Sequence, residues 1–188
     1  MPSVQKSATG SNTMCKPLNV AGIVGDSITD GPGLRFTLFL QGCPHHCPGC
    51  HNPTALPFTG GTAMAWQDIF TRISENPLYS GITLSGGEPM CQAKALLPLC
   101  RAVKDAGYEL ACYTGYTFEA LLEEADPFRL ELLSLCDVLV DGPFIMARRN
   151  LALPFRGSEN QRILNLKASL YAKEAVWETA KRWVDPQK

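Results

Sequence analysis

The chain contains one segment in which cysteines are dense, Gly42-Cys43-Pro44-His45-His46-Cys47-Pro48-Gly49-Cys50-His51-Asn52. Its prolines and glycines disfavour both helix and sheet, so we predict a loop. A 4Fe-4S cube has four iron corners, and three closely spaced thiolates can bind three of them. The spacing Cys-x3-Cys-x2-Cys therefore predicts a cluster with Cys43, Cys47 and Cys50 as metal ligands and one iron free for another ligand.

Two other interpretations of this cysteine segment are open. A structural zinc site needs four closed ligands, and His45, His46 or His51 could complete it. Disulfides would leave one of the three thiols unpaired, which makes them the weakest interpretation. The chain has eight cysteines in all. Of the others, Cys15 is interpreted as incidental, and four are predicted to be small buried hydrophobic side chains: Cys91, Cys100, Cys112 and Cys136.

Composition and charge indicate one soluble globular domain. Of the 188 residues, 45% are hydrophobic and 19% are charged, and at this length roughly 70% of the unfolded chain's surface can be buried. The formal net charge of -1, without a long basic run, argues against a nucleic-acid partner. No apolar run reaches the roughly 18 residues of a membrane span, and no signal peptide is recognisable. We expect a disordered tail over residues 1–16, then a single cytoplasmic domain over residues 17–188 with no membrane partner.

Alternating strand and helix patterns run through the chain. Apolar and β-branched runs predict strands at residues 34–41, 81–84, 109–113, 136–140 and 161–166. Helical spacing of apolar residues, or a capping residue, predicts helices at 63–75, around 96–103, after Thr117 and at 170–183. This alternation is typical of parallel strands joined by right-handed crossovers. Since a closed eight-fold barrel typically needs about 250 residues, we predict an α/β fold, an open partial (β/α) barrel with a mostly parallel sheet and helices outside.

The ends of the predicted strands carry the polar and glycine-rich segments. In chain order, they lead into the cysteine loop, Gly86-Gly87-Glu88, Thr114-Gly115-Tyr116 and Asp141-Gly142. Parallel α/β sheets bind ligands at the carboxyl ends of their strands. We therefore expect these segments, which are distant in sequence, to form one site.

The cysteine loop followed by Ser85-Gly86-Gly87-Glu88-Pro89 resembles the radical S-adenosylmethionine (SAM) superfamily. The resemblance implies that the free iron binds the amino and carboxylate groups of SAM. It also implies reductive cleavage of SAM to a 5'-deoxyadenosyl radical. The cluster cysteines are then the catalytic residues, and the implied cofactor-binding residues are Gly49, Cys50, His51, Gly86, Gly87, Glu88 and Asp141.

Further segments across residues 18–166 are similar to one family of glycyl radical enzyme activases. They are Asp30-Gly31-Pro32-Gly33, the YTGY run at 113–116, the DVLVDGPF run at 137–144 and the RGSENQR run at 156–162. The family comprises the activating proteins of anaerobic ribonucleoside-triphosphate reductase. It implies hydrogen abstraction from a glycine of that reductase and a flavodoxin- or ferredoxin-like electron donor.

Two alternatives to this function remain open at the level of sequence. The residues that follow the third cysteine, His51 and Asn52, are also familiar from activases of pyruvate formate-lyase, so the partner could be another glycyl radical enzyme. An alternative of a different class is a zinc or iron-sulfur module for binding or electron transfer. The RGSENQR run is either a partner-docking segment or a polar loop before a strand.

Overall fold

Seven strands form one sheet in the computed structural model, which describes residues 16–185. The strands are β1 (Leu18–Ser27), β2 (Arg35–Leu40), β3 (Thr62–Met64), β4 (Gly81–Gly86), β5 (Glu109–Tyr113), β6 (Val138–Asp141) and β7 (Arg162–Asn165). The helices are α1 (Trp66–Ser74), α2 (Ala93–Asp105), α3 (Phe118–Glu124), α4 (Pro127–Leu135), α5 (Leu166–Ala172) and α6 (Lys181–Val184). None of these described helices is both long and apolar enough to cross a membrane. Cys15 and the expected tail, apart from its last residue, lie outside the described residues. Cys100, Cys112 and Cys136 are buried as predicted, whereas the prediction for Cys91 is wrong because its side chain is exposed.

The sheet is mostly parallel, as predicted. Its order is β3-β1-β2-β4-β5-β6-β7. The neighbours β2, β4, β5 and β6 pair in parallel, whereas β1 is antiparallel to both β2 and β3, and β7 is antiparallel to β6. Within residues 16–185 the two edge strands do not pair with each other, so the sheet is open. The mixed α/β class is confirmed.

The two faces of the sheet have different roles. On β4, Ile82 and Leu84 belong to the main core, which also contains residues of α1 to α5. Successive side chains of a strand point to opposite faces, so Thr83 and Ser85 lie on the other side. That second face holds a small cluster around the buried ring of Trp183 and borders a cavity. One face therefore builds the core while the other is left for the site.

Most element boundaries agree with the predictions. β5 has the predicted bounds, and the Thr117 side chain accepts a hydrogen bond from Ala120 N at the start of α3, as expected of a capping residue. α1 begins later than predicted because Thr62–Met64 pairs with β1 as a strand. Neither β1 nor α4 was predicted as a regular element.

The predicted helix over residues 170–183 is wrong. α5 ends at Ala172, and the next residue, Lys173, has a left-handed φ of 59°. The following residues pair with β7 instead, because Asn165 N donates to Val176 O and Glu178 N donates to Ile163 O, at 2.9 and 2.8 Å. The open edge of β7 thus offers backbone partners that an isolated helical pattern does not reveal. A separate short helix, α6, brings Trp183 into the second cluster.

Candidate active site

A cavity of about 810 Å³ opens where the parallel strands end. The exits of β2, β4, β5 and β6 all contribute to its wall. From the predicted segments the lining includes Cys43, His45, Cys47, Cys50, His51, Gly86, Gly87, Thr114, Gly115 and Gly142. The structure therefore brings together the strand exits that the sequence predicted to converge.

Main-chain hydrogen bonds to the segment that follows hold the cysteine loop at this cavity. Gly42 N donates to Ala55 O at 2.8 Å and Cys43 N donates to Leu56 O at 2.9 Å. Gly42 has a φ of +96°, a conformation that favours glycine. The position of Cys43 is thus set by backbone contacts within the protein.

The three thiols differ in burial. Cys43 is buried, whereas Cys47 and Cys50 are partly exposed. Burial raises the pKa of Cys43; a hydrogen bond with the His45 main chain opposes this effect, and the charges of Glu88, Cys47 and Cys50 add to it. A buried thiolate is therefore costly unless a cation compensates for it, and a bound metal does so.

The donor set fits a cluster better than a closed zinc site. Cys43, Cys47 and Cys50 line the same cavity. Yet in residues 16–185 no group of three or more His, Cys, Asp or Glu side chains is arranged to hold a metal ion. A cube binds each thiolate at a separate iron, whereas zinc gathers all its ligands around one ion. His45, a candidate fourth zinc ligand, contacts Glu88 instead.

The glycine pair allows the β4 exit to lie directly against the β2 exit. Gly86 has a φ of +98°, and a Cβ on it would lie 2.3 Å from Leu40 N. A Cβ on Gly87 would lie 2.4 Å from Gly42 O. The glycines thus bring the main chain of the β4 exit beside the cysteine loop, and both line the cavity.

Glu88 lies behind this wall rather than in it. Its side chain is fully buried and does not line the cavity. One oxygen accepts hydrogen bonds from Met90 N and the Thr114 hydroxyl, at 3.0 and 2.9 Å. The other accepts from Gly115 N at 2.9 Å and lies 2.9 Å from His45 Nε2. A carboxylate with four such partners holds the strand exits together.

Asp141 has a similar position. Its buried carboxylate accepts hydrogen bonds from Phe118 N at 2.8 Å and from Arg162 Nε at 2.9 Å. The hydrogen bonds that Arg162 donates to Asp141 and to Glu119 raise the pKa of Arg162. Asp141 does not line the cavity, although Gly142 does. The structure thus places Asp141 as the anchor of the α3 start and of β7, not in the cavity wall.

His51 and Gly49 lie on opposite sides of the third cysteine and have different surroundings. The His51 ring lies 4.9 Å from the Phe144 ring, centroid to centroid, and both side chains line the cavity. A planar base can pack on such rings. Gly49, with a φ of +73°, is outside the lining, and a Cβ on it would lie 2.1 Å from Met146 Cε.

Arg156, the first residue of the RGSENQR run, lines the cavity, a position that the sequence did not predict. Its Nη1 donates to Gln161 O at 3.1 Å, but the buried Nε has no hydrogen-bond partner. No carboxylate lies within ion-pair distance of it among residues 16–185. Desolvation by burial lowers its pKa. Its guanidinium carbon lies 5.7 Å from the centroid of the Trp177 ring, so its neighbour is an aromatic face, and a bound carboxylate could supply the missing ion pair.

The rest of the RGSENQR run contacts the protein itself. Gln161 Oε1 accepts hydrogen bonds from Gly157 N and Ser158 N, and Asn160 Nδ2 donates to Pro143 O. Of this run only Glu159 is exposed. The run therefore acts as a structural turn, and a role in docking stays a prediction.

Comparison with known proteins gives consistent matches. A family model described as 4Fe-4S single cluster domain matches residues 29–164. The anaerobic ribonucleoside-triphosphate reductase-activating protein of Salmonella typhi is 33% identical over 148 residues, covering 74% of this chain and 94% of that protein. The protein of the same name from Vibrio cholerae is 38% identical over 142 residues, covering 71% and 89%. Among solved structures, QueE from Escherichia coli matches over 58% of each chain, with 19% identity and a TM-score of 0.45.

The cysteine loop and the family match define the class of the chain as a 4Fe-4S single cluster domain. Within that class it belongs to the family of anaerobic ribonucleoside-triphosphate reductase-activating proteins. The resemblance predicted from the sequence is confirmed. Radical SAM enzyme activity, with a 4Fe-4S cluster and SAM as cofactors, follows from this membership.

Proposed function

We propose that this protein activates anaerobic ribonucleoside-triphosphate reductase by generating a glycyl radical on it. The observation that carries the proposal is the convergence of the three loop cysteines and the main chain of Gly86 and Gly87 on one cavity. When bound, the cluster supplies one electron that cleaves SAM to methionine and a 5'-deoxyadenosyl radical, which takes a hydrogen atom from a glycine of the reductase. The electron comes from a flavodoxin- or ferredoxin-like donor.

Cys43, Cys47 and Cys50 bind the cluster in this proposal. The raised pKa of buried Cys43 supports it, because iron offsets the cost of the thiolate charge. Asn52 N donates to the Cys50 sulfur at 3.4 Å. Hydrogen bonds to ligand sulfurs help to set cluster potentials, so this main-chain group would tune the electron transfer.

The cavity wall then binds the two ends of SAM. The main chain at Gly86 and Gly87 receives the methionyl ammonium, and Glu88 holds that main chain in place. Arg156 binds the carboxylate, because its side chain lines the cavity and forms no ion pair with a carboxylate of residues 16–185. His51 and Phe144 form the surface against which the adenine packs.

The family name supports the reductase as the partner, whereas the His51-Asn52 pair is also familiar from activases of pyruvate formate-lyase. Anaerobic cluster reconstitution followed by incubation with SAM, a reductant and each candidate partner decides between them. The expected result is a glycyl radical doublet, detected by paramagnetic resonance, on the reductase and not on the lyase. A doublet on the lyase and none on the reductase would identify the lyase as the partner. Colourless protein with one zinc and no SAM cleavage would favour a metal-stabilised binding module.

The remaining sequence predictions complete the proposal. The open sheet, with its cavity at one edge, supports an open partial barrel as the finer description of the fold. Residues 17–188 form the single radical SAM domain, located in the cytoplasm. No nucleic acid or membrane takes part, and an open side of the barrel admits the glycine-bearing segment of the partner.

A further inference from the structure

The ring of His45 contacts the exits of two strands. Its Nε2 lies 2.9 Å from Glu88 Oε2, at the end of β4. Beyond the end of β5, its ring meets Tyr116 edge to face, with centroids 4.5 Å apart. A Cβ on Gly115 would lie 2.4 Å from His45 Cδ2, so this position has no room for a larger residue. One side chain thus links the cysteine loop to two neighbouring strand exits.

These contacts show that His45 is not a solvated loop residue. Its side chain is only 19% exposed, and its partner Glu88 is fully buried. An ionised carboxylate can only accept hydrogen bonds, so Nε2 donates in this pair. Removing the donor would leave a buried carboxylate oxygen with one partner fewer, which is costly in a protein interior.

His46, the next residue, shows what a solvated loop histidine looks like here. It is exposed and has a φ of 48°. No hydrogen bond, ion pair or ring contact of its side chain occurs among residues 16–185. The two histidines are therefore a matched pair, in which one faces the strand exits and the other faces solvent.

We propose that His45 is a positioning residue that fixes the cysteine loop relative to the Gly86-Gly87-Glu88 segment. The inference rests on the proposed function, in which SAM bridges these two segments. A ligand that binds two groups at once gains affinity when the protein holds both groups in advance. His45 does not bind the cluster or SAM in this proposal; it acts through Glu88.

The test uses the full chain with its cluster reconstituted anaerobically. His45→Leu removes the donor and keeps bulk, His45→Gln keeps an N–H donor, and His46→Asn is the control because asparagine tolerates a left-handed φ. Iron and sulfide content is measured first. SAM is then titrated while paramagnetic resonance records the change in the reduced cluster's spectrum.

We expect all variants to bind iron and sulfide at the wild-type level. His45→Leu should weaken SAM binding by about 10-fold, the usual effect of losing a hydrogen bond to a charged group. His45→Gln should recover most of this loss, and His46→Asn should bind SAM like the wild type. Rescue by glutamine distinguishes positioning from general damage to the loop.

Three results would overturn the inference. Wild-type SAM affinity in His45→Leu would show that the contact is dispensable, and loss of iron would make His45 part of cluster binding. If His45→Leu is unstable, the SAM affinity of His45→Gln decides. A Glu88→Gln variant, which lacks the carboxylate, is then the reference. If His45→Gln binds SAM as weakly as Glu88→Gln does, an N–H donor at position 45 does not restore binding and the inference is wrong. Failure of the wild type to bind SAM would instead contradict the proposed function.

Discussion

Two arginines at opposite edges of the sheet have opposite surroundings. Arg35, at the start of β2, is completely buried and donates to the Thr83 hydroxyl, Ile82 O and Glu109 Oε1 at 2.7 to 2.8 Å. Its guanidinium also lies 5.4 Å from the ring of Trp183. Arg156, at the carboxyl edge, also lies over a tryptophan ring, 5.7 Å from that of Trp177, but it forms no ion pair within residues 16–185 and its buried Nε has no hydrogen-bond partner.

The difference shows which edge of the sheet stabilises the fold and which one binds ligands. Where the strands begin, the protein satisfies its buried charge completely, so nothing is left for a ligand. Where they end, it leaves thiols, main-chain groups and one guanidinium available. In parallel α/β folds the amino edge commonly serves stability and the carboxyl edge chemistry. Substitutions at the two edges should therefore affect different measurements.

The largest effect should come from Cys47→Ala at the carboxyl edge. Loss of one of three thiolate ligands should reduce SAM cleavage to below about 0.1% of wild type, because the cluster is no longer held. Folding of the metal-free chain should be unchanged, since Cys47 is partly exposed. SAM cleavage measured by product chromatography, beside thermal unfolding of the metal-free protein, checks both. Undiminished cleavage would contradict the ligand assignment.

Arg35→Met at the amino edge should have the opposite profile. Removing one partner of a buried ion pair costs about 3 kcal/mol or more in the free energy of unfolding. The cost arises here because the Glu109 side chain, which is only 10% exposed, stays largely buried after it loses Arg35. Urea unfolding of the metal-free chain measures the loss. SAM affinity of the folded, reconstituted fraction should stay at the wild-type level.

The control for this variant is Arg182→Ala. Arg182 pairs with the same Glu109 but is 57% exposed, and an exposed pair is worth less than about 1 kcal/mol. Equal losses in the two variants would show that burial of Arg35 adds nothing to stability.

Arg156→Gln should weaken SAM binding by about 10- to 100-fold, the effect of losing a hydrogen-bonded charge pair with the ligand. Its thermal midpoint should shift by no more than about 4 °C, since the protein loses one hydrogen bond to Gln161 O and one contact with the Trp177 ring, but no ion pair. Arg148→Gln is the control, because Arg148 is an exposed residue of the same connection between β6 and β7. Unchanged affinity in Arg156→Gln would make this cation structural, like Arg35.

The smallest effect concerns Glu119, which accepts two hydrogen bonds from Arg162 beside the cavity edge. The hydrogen bond with Arg162 lowers the pKa of Glu119. Because the pKa of this carboxyl is lower in the folded than in the unfolded state, its ionisation stabilises the folded protein at pH values above the unfolded-state pKa. This stabilisation is lost as the pH falls through the folded-state pKa. Because the side chain is 55% exposed, the contribution is below about 1 kcal/mol.

Urea unfolding between pH 3 and 7 tests this: Glu119→Gln should reduce stability at neutral pH and flatten the decline towards acid. Glu123→Gln removes an exposed carboxylate of the same helix and serves as the control. An acid decline that is identical in the wild type and Glu119→Gln would contradict the assignment.

The parallel core of the fold was predictable because its strands are short apolar runs bounded by glycine-rich turns, as β5 is. β1 was not, since register shifts next to Gly22 and before Ser27 break the alternation on which strand prediction depends. The prediction of a C-terminal helix failed for a related reason. The backbone of Val176 and Glu178 bonds to β7, and a local sequence pattern carries no information about such distant partners.

The candidate site divides in the same way. Its cysteines and glycines form local motifs, so their positions follow from spacing alone. The roles of Glu88 and His45 depend on a contact between residues 43 positions apart, and those of Asp141 and Arg162 on one across 21 positions. Such pairs exist only after folding, so the sequence could nominate Glu88 and Asp141 but could not show that they face the protein.

The backbone bonds of the cysteine loop also bear on how the protein survives oxygen. Gly42 and Cys43 are fixed to Ala55 and Leu56 by main-chain groups that do not depend on iron. We therefore expect oxidative destruction of the cofactor to leave the loop in place, so that repair consists of reinsertion rather than renewed folding. Such a chain could pass through cycles of damage and recovery without being degraded and resynthesised.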